Sequence, residues 1–258
     1  MNRKILDWVK PLAFIIAGLL LVAGCSKDKE VLPDDDLHGK VFDADGNEYG
    51  TVIIGNQVWL TGNLKTTRYK NGNPIATGHS NEQWANLSTG AYAIYPHAAI
   101  NGLSSEAEVL SNYGALYNWH AVKTGNLCPK GWRVPTDSDW SQLISFIDPD
   151  ANSNYQWPES FIAGGKLKST RTNPDAHPSW EYPNTDATDE FDFSAFPGGL
   201  RANDGETLFN GFGGYWWSAT ETSTISAFYR TMIWENGHVY RLGVCKNFGL
   251  SVRCVREK

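Results

Sequence analysis

Residues 214–257 contain four short segments that are rich in aromatic and β-branched residues: "GYWWSATE", "AFYRTMIW", "HVYRLG" and "GLSVRCVRE". Such residues favour strands, because their side chains pack well on a pleated surface. Asn236-Gly237 lies between the second and third segments, and this dipeptide is a strong signal for a hairpin turn. The pattern predicts that the chain closes with an antiparallel sheet.

A second β-rich region lies at residues 40–64, "KVFDADGNEYGTVIIGNQVWLTGNL". Apolar and β-branched residues alternate there around two pairs of turn residues, Asp45-Gly46 and Gly55-Asn56. Both pairs are typical of tight hairpins. We therefore predict a β meander at the start of the domain.

Helical periodicity appears between the two β-rich regions. In "AEVLSNYGALYNWHAV" the apolar residues share one helical face: Val109, Leu110, Tyr113, Leu116, Tyr117 and His120 or Ala121. Gly114 is the weak point of this predicted helix, since glycine costs about 1 kcal/mol relative to alanine in a helix interior.

A second helix is predicted after "LCPKGWRVPTDSDW". Thr136 can cap its N-terminus, and Asp139 stands at the third helical position of a capping box. The apolar residues that follow repeat at i, i+3, i+4 and i+7: Trp140, Leu143, Ile144 and Ile147. The fold class is therefore α+β, with an N-terminal β meander, two central helices and a C-terminal antiparallel sheet.

The N-terminus has the features of an export signal. Basic residues precede the apolar run "PLAFIIAGLLLVAGC", which is too short to span a bilayer comfortably. The run ends in "VAGC", which resembles the lipobox of bacterial lipoproteins, where the cysteine receives a diacylglycerol thioether and the chain is cleaved before it. We expect residues 1–25 to be the signal peptide and lipobox, with acyl chains on Cys25 anchoring the protein to a membrane.

Residues 26–37 carry many charges, a proline and few apolar residues, so we predict a disordered tether. Its acidic cluster resembles surface-export signals of lipoproteins in Bacteroidetes-like bacteria, although Lys27 and Lys29 dilute the pattern. This favours the outer membrane and the cell surface. Residues 38–258 then form one domain.

The charge of the exported chain argues against nucleic acid as a partner. Removing residues 1–24 takes three of the 22 basic and one of the 28 acidic side chains, which leaves 19 and 27 and a formal charge of −8. Nucleic-acid-binding proteins usually carry a basic patch or stripe. Here the basic residues are scattered.

The sequence lacks the usual catalytic motifs. It has no G-x-S-x-G, H-E-x-x-H, Gly-rich phosphate loop or C-x-x-C, and its six histidines are dispersed. Loop carboxylates at Asp186, Asp189 and Glu190 could serve a glycosidase or hold Ca²⁺ with backbone carbonyls. Solvated carboxylates are the commoner case, so we predict no catalytic residue, no metal and no cofactor.

Tryptophan is in excess, with 11 in the chain. Trp216 and Trp217 are adjacent in a predicted strand and point to opposite faces, so one of them should be exposed unless a further layer covers it. An exposed tryptophan near carboxylates and amides would suit sugar stacking. Packing between layers is the alternative that the sequence favours. The candidate ligand-binding residues are Asn184, Asp186, Asp189, Glu190, Trp216, Trp217 and Trp234.

Several motifs together resemble a known family. In order along the chain they are "GNEYGTVIIGNQVWLTGNL", "YGALYNWHAV", "CPKGWRVPTDSDWSQL", "GGKLKST", "ATDEFDFSAFPGGLR", "GGYWWSATE" and "GLSVRCVRE". This series resembles the Fibrobacter succinogenes major paralogous (FISUMP) domain over residues 40–257. The resemblance implies a secreted or surface lipoprotein, and it carries no assigned activity. "GWRVPT", "GGYWWSAT" and "GLSVRCVR" are also distantly similar to the C-type lectin-like fold, which includes the formylglycine-generating enzymes.

The resemblance also bears on the cysteines. Cys128 in "CPKGW" and Cys254 in "SVRCV" match the family pattern, which implies a disulfide that closes a loop of over 100 residues. Cys245 is then left over. The alternative is a reactive or copper-binding pair of Cys245 with Cys254, as in the formylglycine-generating enzymes.

Three classes of function remain. We favour a non-enzymatic surface protein that binds glycan or an extracellular protein. The others are a structural component of a surface assembly and an enzyme on a lectin-like fold.

Overall fold

The computed structural model describes residues 40–154 and 158–258. The predicted signal peptide, the lipidation site Cys25 and the tether lie outside these residues. None of the helices in this part of the chain is both long and apolar enough to cross a membrane.

The N-terminal β-rich region forms two hairpins that belong to different sheets. Strands β1 (Val41–Phe42) and β2 (Glu48–Tyr49) pair with each other alone. Strands β3 (Thr51–Ile54) and β4 (Gln57–Leu60) join at the predicted turn, where Gly55 has a φ of +61°. The last strand of the chain, β13 (Val255–Glu257), pairs antiparallel with β4 and completes a three-stranded sheet.

The predicted first helix is wrong in its second half. Helix α2 (Glu106–Tyr113) ends at Gly114, which adopts a φ of +81° that only glycine tolerates readily. The chain then forms strand β6 (Leu116–Asn118) and a short helix, α3 (Trp119–Lys123). Sheet pairing of β6 outweighs the helical pattern of the side chains, because it satisfies backbone groups deep in the core.

The second helix is confirmed. Helix α4 (Asp137–Ile147) begins with the predicted capping box, in which Thr136 and Asp139 exchange hydrogen bonds. Its periodic apolar residues are all buried: Trp140, Leu143, Ile144 and Ile147. Two further short helices are α1 (Asn81–Ala85) and α5 (Ala163–Leu167).

An eight-stranded sheet forms the largest part of the domain. Its strands lie in the order β11-β10-β9-β7-β12-β6-β5, with β8 paired to β7. Only the β7–β9 pair is parallel. The strands not yet given are β5 (Tyr92–Ala93), β7 (Gly198–Arg201), β8 (Thr207–Asn210), β9 (Gly213–Glu221), β10 (Ser226–Ile233), β11 (Tyr240–Cys245) and β12 (Gly249–Leu250).

Two details of the predicted C-terminal sheet are corrected. The β10–β11 hairpin forms, but Asn236-Gly237 is not a two-residue turn, because the pairing ends at Thr231 and Tyr240 and leaves eight residues between them. The carbonyls of Ile233 and Asn236 in this connection accept hydrogen bonds from Lys168. The segment "GLSVRCVRE" is split between β12 and β13, which lie in different sheets. Between these two strands, the backbone of Ser251 forms hydrogen bonds with β9, and the carbonyl of Cys254 accepts one from β4.

A disulfide joins Cys128 to Cys254, 126 residues apart, as the family resemblance implied. It ties the segment before α4 to the end of the sheet. Because Cys254 is in this bond, the alternative pair of Cys245 with Cys254 is not formed. Cys245 is an exposed free thiol at the end of β11.

Candidate functional site

The side chains of Trp216 and Trp217 are both fully buried, so packing between layers, the alternative that the sequence favoured, is confirmed and neither indole is exposed. The two indoles do point to opposite faces of β9, and each face is covered. Trp216 packs beside Trp140 of α4, with ring centroids 6.5 Å apart. Trp217 donates its indole N–H to the carbonyl of Tyr117 at 2.7 Å. Neither ring offers a surface on which a sugar could stack.

The loop carboxylates do not converge. Asp189 accepts hydrogen bonds from the backbone N–H and the hydroxyl of Ser194, and burial raises its pKa. Glu190 forms an ion pair with Lys166 at 3.3 Å. Asp186 is exposed at a φ of +62°. Over residues 40–154 and 158–258, no group of three or more His, Cys, Asp or Glu side chains could hold a metal.

A buried ammonium lies where these loops meet. Lys168 Nζ donates to the carbonyl oxygens of Thr185, Ile233 and Asn236, at 2.8, 3.0 and 2.9 Å. Burial lowers the pKa of Lys168 to about 8. The backbone carbonyls that a Ca²⁺ ion would need here are therefore already bound to a side chain of the chain itself.

Asn184 belongs to the same buried region. It is only 5% exposed, and its side-chain N–H₂ donates to the carbonyl of Ser169 at 2.9 Å. None of the seven candidate residues lines the cavity beside Phe212, although Trp234 packs against one of its lining residues. Its indole is partly buried and packs edge-on against the ring of Phe212, at 5.7 Å between centroids.

The cavity beside Phe212, called here the Phe212 cavity, has a volume of about 440 Å³. That is within the usual size of small-molecule sites. Its lining comes from residues 99–102 at and after the end of a short 3-10 helix (His97–Ala99), from the end of α2, from the loop 173–181 and from residues 210–212 at the end of β8. The main lining side chains are Ile100, Tyr113, Asn173, His177, Glu181, Asn210 and Phe212.

Backbone hydrogen bonds connect the segments that carry Glu181, Phe212 and Trp234. Glu181 N–H donates to the carbonyl of Gly211 at 2.9 Å, and Trp234 N–H donates to the carbonyl of Phe212 at 3.0 Å. Gly211 has a φ of +82°, and the Glu181 side chain lies directly over it. The Phe212 ring is thereby turned outward and is 43% exposed.

Two polar side chains of the cavity, Asn210 and Glu181, have few interactions with the rest of the protein. The side-chain amide nitrogen of Asn210 is buried and has no hydrogen-bond partner among the described residues. Glu181 forms no ion pair within the same ranges, and Asn173 reaches its carboxylate only at 3.4 and 3.5 Å. A buried donor without a partner costs free energy, so a ligand that accepts from Asn210 would recover it.

His177 forms the wall of the cavity toward α2. Its Nδ1 lies 2.7 Å from the hydroxyl of Tyr113, and its Nε2 lies 2.8 Å from the carbonyl of Asn101. A carbonyl can only accept, so Nε2 carries the proton and Nδ1 accepts from Tyr113. Burial raises the pKa of Tyr113, which keeps its hydroxyl protonated. Both ring nitrogens are therefore occupied in holding this wall.

Two exposed aromatic side chains are next in sequence to lining residues of the cavity. Tyr182, next to Glu181, is 77% exposed, and Phe209, next to Asn210, is 50% exposed. Phe209 has a φ of +66°, which is a genuine outlier for a bulky residue. Its ring lies 6.3 Å from that of Tyr215 on β9. The arrangement offers flat apolar rings beside polar groups that can bond to hydroxyls.

The sequence prediction missed most of these residues. Its candidate residues lie at positions 184–190, 216, 217 and 234, and the lining residue of the cavity nearest to them in sequence is Glu181. Asn173, Glu181, Asn210 and Phe212 lie in irregular segments or at strand ends, where no periodicity marks them. The glycine-rich stretch "NGFGG" is the signal that could have drawn attention to Asn210 and Phe212.

Comparison with known proteins identifies the family. Neither the curated proteins nor the solved structures include a match to this chain. Residues 52–256 match the family described as the Fibrobacter succinogenes major domain. This match spans most of the chain and includes every described strand and helix from β4 to β12. The chain therefore belongs to the Fibrobacter succinogenes major domain family.

Proposed function

We propose that this protein is a non-enzymatic, lipid-anchored bacterial surface protein that binds a saccharide in the Phe212 cavity. The observation that carries the proposal is the combination of an exposed ring, Phe212, with the unpartnered amide of Asn210 in one cavity of suitable size. Sugars present an apolar face and a ring of hydroxyls, and such a site is complementary to both.

The proposal assigns a role to each group. Phe212, with Trp234 behind it, provides the stacking surface. Asn210 donates to a sugar oxygen, and Glu181 accepts from hydroxyls. Tyr182 and Phe209 extend the apolar surface beyond the cavity, where further sugar units would lie.

A glycan array probed with residues 26–258, the exported chain without its lipidated cysteine, tests the proposal. Phe212→Ala and Glu181→Gln should each weaken binding of any array ligand by at least tenfold. Phe146→Ala is the matched control, because Phe146 is 55% exposed on α4, where its ring lies against Gly55. Circular dichroism checks that each variant is folded. Equal binding by all variants would place the site elsewhere, and no ligand on broad glycan panels would favour a structural role in a surface assembly.

Membrane anchoring belongs to the same proposal. The "VAGC" sequence supports lipidation of Cys25, and the acidic tether supports transport to the outer membrane and exposure at the cell surface. Cys25→Ala should abolish palmitate labelling and release the protein from membranes, because acyl chains supply its membrane affinity. Membrane sedimentation of the variant, with an unlabelled parent protein, would rule out the lipoprotein assignment.

We also propose that the domain is a distant form of the C-type lectin-like fold. Pairing of β4 near the start of the domain with the last strand, β13, supports this proposal, as does the placement of irregular segments on a β scaffold. Superposition of an experimental structure on lectin-like domains tests it.

A further inference from the structure

A second cleft lies on the other side of the segment 171–179. Its volume is about 360 Å³. His177 lines both spaces, Asn173 and Ser179 face the Phe212 cavity, and Arg171 and Pro178 face the second cleft. The two spaces are therefore neighbours, separated by one stretch of chain.

Two cations line this second cleft, Lys65 and Arg171. Neither forms an ion pair within residues 40–154 and 158–258. The one acidic residue in the lining, Glu48, is bound to Lys40 at 2.9 Å. The cleft is thus a cationic site on a chain that carries a net negative charge.

The Phe212 cavity has the opposite character. Its lining carboxylates are Asp175 and Glu181, and no lysine or arginine is among its described lining residues. An anionic group would be repelled there and attracted into the neighbouring cleft. A neutral sugar ring has no such conflict in the Phe212 cavity.

We propose that the cleft of Lys65 and Arg171 binds the carboxylate of an acidic saccharide, a uronate, whose adjoining sugar occupies the Phe212 cavity. This inference rests on the proposed function, and it names the chemical class of its ligand. The occupant of the pair of sites is an oligosaccharide that carries both a neutral, stackable ring face and a carboxylate.

The guanidinium of Arg171 is held in place before any ligand arrives. One of its nitrogens donates to the carbonyl of His177 at 3.3 Å, and the group lies 5.4 Å from the centre of the Phe196 ring. A fixed planar guanidinium binds carboxylates through two parallel hydrogen bonds.

Lys65 complements Arg171 as a point charge. Its Nζ lies 5.5 Å from the centre of the Tyr49 ring. Thr61 and Asn112 also line the cleft and can bond to the hydroxyls of the same sugar. The cleft therefore has groups for both parts of a uronate.

Isothermal titration calorimetry tests the inference with trimers that carry one uronate (galacturonate, glucuronate or mannuronate) joined to neutral sugars, each beside its carboxyl-reduced neutral counterpart. At least one uronate should bind about tenfold more tightly than its neutral counterpart, which corresponds to about 1.4 kcal/mol. The preference should shrink as salt rises, since partly exposed charges are screened.

Arg171→Gln and Lys65→Gln should each reduce the preference for the uronate over its neutral counterpart to about twofold. Arg171→Lys should retain part of it, because the charge stays but the paired hydrogen bonds are lost. Lys70→Gln is the control for net charge, since Lys70 is exposed and its Nζ donates to the carbonyl of Gly125.

The outcomes separate the two proposals. Binding of neutral trimers that is lost in Phe212→Ala, without any uronate preference, would overturn the cationic subsite and keep the saccharide site. Failure of every trimer and of the glycan array would overturn the proposed function itself. Binding of hexaglutamate as tightly as a uronate trimer, with the same loss in Arg171→Gln, would replace the sugar acid with an acidic peptide.

Discussion

The indole N–H of Trp216 donates a hydrogen bond of 2.9 Å to the side-chain oxygen of Asn63, 153 residues earlier in the chain. The same oxygen accepts from Nε of Arg253 at 3.0 Å, and the Asn63 amide donates to the carbonyl of Tyr113. All of these groups are buried. One side chain thus joins β9, the segment before β13 and the end of α2.

Asn63→Ala should destabilise the fold by about 2–4 kcal/mol, because it leaves two buried donors and one buried carbonyl without partners. The midpoint of urea unfolding measures the effect. Asn203→Ala, at an exposed position, should change stability by less than about 0.5 kcal/mol. Equal midpoints for the two variants would contradict the role given to Asn63.

The disulfide should contribute about 2–5 kcal/mol to stability, since it closes a long loop in the unfolded chain. The double variant Cys128→Ser, Cys254→Ser should have a lower urea midpoint than the wild type. Dithiothreitol should lower the midpoint of the wild type but not that of the double variant. Cys245→Ser, which removes the free thiol, should behave as the wild type. A peptide that links Cys245 to Cys254 in a non-reducing map would contradict the bond.

Asp137 should make stability depend on pH. Burial alone would raise its pKa, but hydrogen bonds and charge from Arg241 and Arg230 hold that pKa below its ordinary value of 3.8. A depressed folded-state pKa adds stability above the unfolded pKa, and that stability is lost as the pH falls through the folded pKa.

Asp137→Asn should therefore be less stable than the wild type by about 1–3 kcal/mol at pH 7. The difference should narrow below pH 4 and disappear at still lower pH. Asp150→Asn, at an exposed site, should match the wild type throughout. Urea midpoints at pH 7 and pH 3 measure the change, and a gap that is equal at both would contradict this assignment.

Gly114→Ala should be more harmful than Gly125→Ala, although both glycines have positive φ angles, +81° and +65°. A Cβ at Gly114 would lie 2.7 Å from Cβ of Asn63 and 2.9 Å from the carbonyl oxygen of Leu64, whereas at Gly125 it would meet nothing within 4 Å. The backbone cost is about 1–2 kcal/mol at Gly125 and about 1–3 kcal/mol at Gly114, whose ψ of −174° lies in a region essentially restricted to glycine. Gly114→Ala adds about 1–3 kcal/mol from overpacking, and thermal unfolding of the two variants compares them.

Local chemistry explains which parts of the fold the sequence predicted correctly. The capping box of Thr136 and Asp139, and the apolar positions behind it, are defined within a dozen residues, and α4 forms as expected. The helix through Gly114 failed because β6 pairs with β5 and β12, and β12 lies over 130 residues later in sequence. Periodicity within one segment carries no information about such a partner.

The same limit applies to the candidate site. The sequence indicated that Trp216 and Trp217 face opposite ways, but whether a further layer covers each face depends on where α3 and α4 pack. The residues of the Phe212 cavity come from four separate stretches of chain. Asn210 and Glu181 are candidates because the Asn210 amide nitrogen lacks a hydrogen-bond partner and Glu181 lacks an ion pair among the described residues, and composition alone does not show this.

Lys168 has a consequence for how the irregular segments keep their shape. A dissolved ion that bridged the carbonyls of Thr185, Ile233 and Asn236 could be withdrawn by a chelator or by dilution. The ammonium of Lys168 is covalently part of the polypeptide, so it cannot dissociate, and every copy of the protein contains it. The geometry of this region is therefore inherited with the sequence, whatever the mineral content of the surrounding fluid.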